Sequence, residues 1–100
     1  MATLLHNITT TLTQDLLAAG DGVNNIKSIT IANVEDSNDA VVSLFLNKKQ
    51  SNFYILKSVL IPNGSSLALN EEDNIAFNNG VNGFSLRIQS TENVDVIIKR

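Results

Sequence analysis

Cysteine and tryptophan are absent from this chain of 100 residues, and histidine and proline occur once each. Without cysteine there is no disulfide framework, no thiolate nucleophile and no Cys-ligated zinc. The lone imidazole, His6, has no partner set for a catalytic triad or a zinc site, and it reads as a surface residue near a chain end. Charge is scarce too: 17% of residues are charged, with 7 Lys and Arg against 10 Asp and Glu, for a net charge of -3. No basic stripe is available to neutralise phosphates, so nucleic acid is not an expected partner. No apolar run approaches the roughly 18 residues of a membrane helix. The opening MATLLHNITTTLTQ, with no cationic leader and no long apolar block, is not expected to be a signal peptide. The expectation is a soluble, non-enzymatic protein without metal or cofactor, made in a cytoplasm.

What the chain has in quantity is strand-sized apolar runs: ITTTLT, IKSITIAN, VVSLFLN, NFYILKSVLIP, SSLALN, NIAF, GFSLRIQS and VDVIIKR. Most alternate with the period of two that places successive side chains on opposite faces of a pleat. Ile29 and Ile31 oppose Ser28 and Thr30; Phe84, Leu86 and Ile88 oppose Ser85, Arg87 and Gln89; Val94, Val96 and Ile98 oppose Asp95, Ile97 and Lys99. Polar punctuation separates the runs. VEDSND is an acidic loop, NKKQSN a hairpin, Pro62-Asn63-Gly64 a type I or II turn, and Asn79-Gly80 with Asn82-Gly83 a turn-rich corner. Leu16 to Gly20 reads as a short turn or one-turn helix leading into the main sheet, in preference to continued strand. Strands at this spacing, with no sustained 3.6-residue period, predict an all-β fold: an antiparallel β-sandwich or jelly roll of about 7–8 strands. Residues 1–22 are expected to form an N-terminal arm or first strand, and residues 23–100 the sandwich. The expected core is Ile29, Ile31, Val42, Leu44, Leu46, Ile55, Val59, Leu67, Leu69, Phe84, Leu86, Ile88, Val96 and Ile98.

The carboxylates offer little chemistry. Neither Glu35, Asp36 and Asp39 nor Glu71, Glu72 and Asp73 follows the spacing of a Ca²⁺ loop, and solvated loops are the better reading. A glycosidase pair would need aromatic stacking platforms that five aromatic residues do not furnish. The sequons at Asn7 and Asn63 are read as chance matches. Lys48, Lys49, Lys57, Lys99 and Arg100 read as residues that keep hairpin tips and strand ends soluble and discourage sheet pairing.

Two-sided apolarity is harder to set aside. Between Phe53 and Ile61, one face carries Phe53, Ile55, Val59 and Ile61 and the other Tyr54, Leu56 and Leu60; Ala40 to Leu46 is likewise apolar on both faces. A sandwich strand in a monomer should have one wet face. At about 25 cal/mol per Å², several such side chains left in water forfeit a few kcal/mol that a subunit contact would recover. Phe45, Tyr54, Leu56, Leu60 and Ile97 are therefore the candidate interface, and a homo-oligomer, with a trimer among the expected states, the expected form.

Finally, the ordered set TTTLTQDLLAAG, VNNIKSITIANVEDSND, VVSLFL, FYILKSVLIPNGSSLAL, NIAFNN and VDVIIKR resembles small virion proteins of tailed bacteriophages, including cyanophages. The resemblance runs from about Thr9 to Arg100, and it is carried by the order of Ile31-Ala32-Asn33 and Ile61-Pro62-Asn63-Gly64-Ser65-Ser66-Leu67. It implies a structural role in the virion, foremost as a capsid decoration or cement protein docked on major capsid subunits. Neck or head–tail adaptor, tail accessory, and a carbohydrate-binding module on a tail or fibre are the alternatives. It implies no catalytic residue. Asn33 would end a strand, Pro62 and Gly64 set a turn, and Leu67 and Leu69 return to the core.

Overall fold

The computed structural model describes residues 3–23, 26–35, 37–70 and 77–100. They form eight strands and, among the described residues, no helix: β1 (Thr3–Ile8), β2 (Gln14–Leu17), β3 (Ser28–Asn33), β4 (Ala40–Lys48), β5 (Ser51–Ile61), β6 (Ser66–Asn70), β7 (Ser85–Ser90) and β8 (Val94–Lys99). Two four-stranded antiparallel sheets result, in the orders β1-β8-β3-β6 and β2-β7-β4-β5. The β-sandwich expected from the alternation is the fold. The short strand expected at Asn74 to Phe77 lies mostly outside the described residues.

Period-two alternation explains which side chains meet between the layers. From the first sheet come Ile8, Ile29, Ile31, Leu69, Val94, Val96 and Ile98; from the second, Leu16, Leu17, Ala40, Val42, Leu44, Ile61, Leu86 and Ile88. Leu46, Ile55 and Leu67 pack against this cluster from its margin. Phe84 does not join it: its ring meets that of Phe53 edge-on at 5.8 Å. The radius of gyration, 12.8 Å, matches the ~13 Å of a close-packed 100-residue domain.

Residues 3–17 differ most from the sequence expectation. β1 pairs along its whole length with β8, and β2 pairs with β7, so this segment contributes one strand to each sheet. The turn or one-turn helix expected at Leu16 to Gly20 is instead the end of β2, followed by a turn. An isolated helical turn has a costly nucleus. Pairing with β7 supplies backbone partners at once, and a register shift between Asp15 and Leu17 lets both leucines be buried.

Two buried asparagines fasten the loops. Asn33, which ends β3, donates through Nδ2 to the carbonyls of Asn38 and Ile61, both at 2.9 Å, and accepts from the Glu35 amide at 2.9 Å. Asn79 is fully buried. Its Oδ1 accepts from Val23 N at 3.1 Å, and its Nδ2 donates to the carbonyls of Ala18 and Phe84 at 3.0 and 2.9 Å. Its own carbonyl accepts from the amides of Gly20 and Gly22. Pro62 opens a turn closed by Ser65 N to Pro62 O at 3.1 Å. Gly64 there has φ +74°, the positive value that a type II turn requires at its third residue.

Candidate functional site

With the core residues pointing inward, each sheet presents an outer face, and the register defines rows of neighbours across it. On the second sheet Asp15 lies opposite Arg87, Arg87 opposite Phe45, and Phe45 opposite Tyr54. One row thus crosses all four strands. Arg87 Nε donates to Asp15 Oδ1 at 2.6 Å. Tyr54 packs on Phe45 with ring centroids 5.1 Å apart and planes at 48°, and Lys57 Nζ sits 5.1 Å from the Tyr54 centroid. Phe45 is consequently buried although it faces away from the main core. Farther along, Val41 and Leu60 oppose each other and are 36% and 57% exposed; Tyr54 is 46% exposed.

Two shallow grooves flank the Phe45–Tyr54 pair. One, of about 460 Å³, is lined by Asp15, Asn47, Lys48, Ser85 and Arg87 with the 81–83 corner. The other, of about 400 Å³, is lined by Thr11, Val41, Ser43, Ser58, Gln89 and Thr91. In the first groove the Ser85 hydroxyl donates to the Asn47 carbonyl at 3.2 Å. Among the described residues, no cluster of three His, Cys, Asp or Glu is placed to hold a metal ion.

The first sheet's outer face carries the row Leu5, Ile97, Thr30 and Ala68, again across all four strands. Leu5 is 70% exposed. Asp95 and Lys99 lie one row to either side of Ile97 on β8.

The five candidate interface residues therefore do not form one surface. Tyr54 and Leu60 are exposed on the second sheet, and Phe45 lies beneath Tyr54. Ile97 is on the opposite side of the molecule. Leu56 faces inward, opposite Leu44, and packs half-buried against the core. The reason is a pair of register shifts in the β4·β5 ladder, between Val42 and Leu44 and between Leu44 and Phe45, with Ser58 at φ 52°. Each such bulge advances the alternation by one residue. Sequence reasoning missed Leu5, which the β1·β8 pairing sets exposed beside Ile97.

Other singled-out residues serve the frame. His6 lies on the inward side of β1, between Leu4 and Ile8 and opposite Val96, and burial lowers its pKa below 6.5. Asp39 Oδ1 accepts from Asn63 N at 3.1 Å and Glu35 Oε1 from Asn93 N at 3.3 Å, so these carboxylates cap loop amides. Asp36, Glu71, Glu72 and Asp73 lie outside the described residues. Lys48 Nζ stands 5.3 Å from the Phe84 ring centroid. Phe53 and Tyr54, the adjacent aromatic pair, engage different partners, Phe84 and Phe45, and do not make a joint stacking platform.

Compared with known proteins, the chain matches no family model, no curated protein and no solved structure.

Proposed function

We propose that this chain is a non-enzymatic structural protein of a tailed-bacteriophage particle, a capsid decoration protein that docks on the shell through a sheet face and stabilises the joints between major capsid subunits. The observation that carries the reading is the outer face of the second sheet. There Tyr54 closes over Phe45 while Val41, Tyr54 and Leu60 stay exposed, beside the paired charges Asp15 and Arg87 and with Lys57 over the Tyr54 ring. Exposed apolar area on a sheet face is suited to burial against another protein. The strand order supports it: β1 pairs with β8, β2 with β7, β3 with β6 and β4 with β5, the nesting produced when one long hairpin is rolled up. We read this as a jelly roll, an architecture used by capsid proteins. Asn33 ends β3, Gly64 lies in the turn and Leu69 in the core. Many weak contacts per particle add up through multivalency. In this reading the protein works in the virion, as a homo-oligomer bound to capsid proteins, and uses neither nucleic acid nor membrane.

The test is binding to expanded capsids that lack the chain, with isolated necks and tails as parallel targets. Leu60→Asp should keep the wild-type far-UV spectrum and melting curve and lose at least tenfold in capsid affinity. Leu56→Asp should instead lower the melting temperature, because its half-buried side chain packs against the core. Capsid binding by Leu60→Asp at wild-type strength would remove this surface, and binding to necks or tails alone would replace the decoration role with an adaptor role.

A further inference from the structure

The four sheet edges are not equally protected. An edge strand presents unpaired N–H and C=O groups to any other strand, and natural proteins blunt it with shortness, bulges, charge or cover. β2 is four residues long with a register shift. β5 is broken by two register shifts and carries Lys57 beside the positive-φ Ser58. β6 offers only Ser66, Ala68 and Asn70 on its outer side, so pairing there would cover little apolar surface. Among the described residues, β1 has none of these guards. Its register with β8 is unbroken from Thr3 to Ile8, it contains no Asp, Glu, Lys, Arg or Pro, and it carries Leu5 at 70% exposure.

We propose that β1 is the docking strand for a second copy of this chain, paired antiparallel about a two-fold axis at Leu5 to give one continuous eight-stranded sheet. The proposal rests on the self-association in the reading above and names its surface.

The register follows from the pleat. Residues directly opposite must point to the same face, so two-fold pairings of β1 centre on a residue, not between residues. Centring on Leu5 sets Leu5 against its copy, Leu4 against His6 and Thr3 against Asn7. The row Ala68, Thr30, Ile97, Leu5 then continues into its mirror sequence, and the most exposed apolar side chain of this sheet face is covered on its open side. Centring on His6 would instead set imidazole against imidazole and Leu5 against Asn7. With no charge on β1 other than a protonated His6, nothing repels the copy. A strand-to-strand joint this short buries less than the ~1,200 Å² of standard interfaces, so the dimer should be reversible and concentration-dependent.

The absence of cysteine makes the test clean. Opposed residues on antiparallel strands have Cα atoms about 4.5–5.5 Å apart, inside the roughly 4.4–6.8 Å range of a disulfide. Asn7 and its copy would be four residues out of step, about 13 Å, beyond reach. Mass by light scattering across a concentration series should rise from 10.8 kDa toward twice that value. On oxidation of the full chain, Leu5→Cys should form a covalent dimer and Asn7→Cys should remain monomeric. Leu5→Lys, on an exposed site, should keep the fold and shift dimerisation to at least tenfold higher concentration. A wild-type monomer at every concentration, or a dimer that Leu5→Cys does not trap and Leu5→Lys does not weaken, would overturn the proposal. Capsid binding by Leu5→Lys is read separately, since failure of the decoration role leaves the mass and crosslinking results intact.

Discussion

Asn79 and Val23, 56 positions apart in the chain, are joined by a buried hydrogen bond of 3.1 Å from the Val23 amide to Asn79 Oδ1. The same side chain satisfies the carbonyls of Ala18 and Phe84. One amide group thus ties the connection after β2 to the corner before β7. Replacing it by alanine would orphan one donor and two acceptors, each worth about 1–3 kcal/mol where buried. Asn79→Ala is expected to destabilise the domain by about 2–4 kcal/mol, read as a lowered urea midpoint with an unchanged slope. Asn79→Asp, which removes both donors and adds a charge, should be no better.

The glycines separate into two physical types. At Gly83 a Cβ would collide with the Asn78 carbonyl and come within 2.8 Å of Gly80 N. Phe84 N donates to that same carbonyl at 2.7 Å, so the neighbour is pinned. At Gly64 there is open space, but φ is +74°. Gly83→Ala should therefore cost several kcal/mol through close contact with backbone. Gly64→Ala should cost about 1 kcal/mol through backbone conformation alone, and Gly64→Asn less, because Asn tolerates positive φ. Chemical denaturation of the three variants checks the order.

The β4–β5 hairpin turns through Lys49 and Gln50, at φ 51° and 65°. Two consecutive positive-φ residues define the turn that matches sheet twist, and it favours Asn-Gly. Neither native residue is suited to it. Gln50→Gly is expected to stabilise the protein by about 0.5–1 kcal/mol, seen as a higher melting temperature. A decrease would mean that the Gln50 side chain makes a contact outweighing its strain.

His6 gives stability a pH dependence of defined sign. Burial depresses its folded pKa below the unfolded value of 6.5, so the unfolded chain binds the proton more readily. Its contribution is complete above pH 6.5 and is lost as pH falls below 6.5 toward the folded pKa. Urea midpoints should decline between pH 7.5 and 5.5, above the range where most carboxylates titrate. His6→Gln should flatten that decline.

Much of the fold was legible because the strand signal is local. Alternation alone identified β3, β4, β7 and β8 and most of their inward residues, including Ile29, Val42, Leu86 and Val96. The turn at Pro62 to Gly64 was legible for the same reason. Ile8, Leu16 and Leu17 were not recognised as core, since their burial depends on β1 and β2 pairing with the last two strands of the chain. Asn79 gave no signal: a buried polar hub is written as an ordinary turn residue.

The all-β class, the inward rows and the absence of thiol and extensive charge chemistry can be read without coordinates, because composition and period-two pattern are properties of single segments. Which outward residues are available depends on packing between distant segments. The bulges near Ser58 turned Leu56 inward, Tyr54 covered Phe45, and β1 came to an open edge beside Ile97. Register and strand neighbours arise from contacts distant in sequence, and a one-residue shift exchanges the faces of a strand.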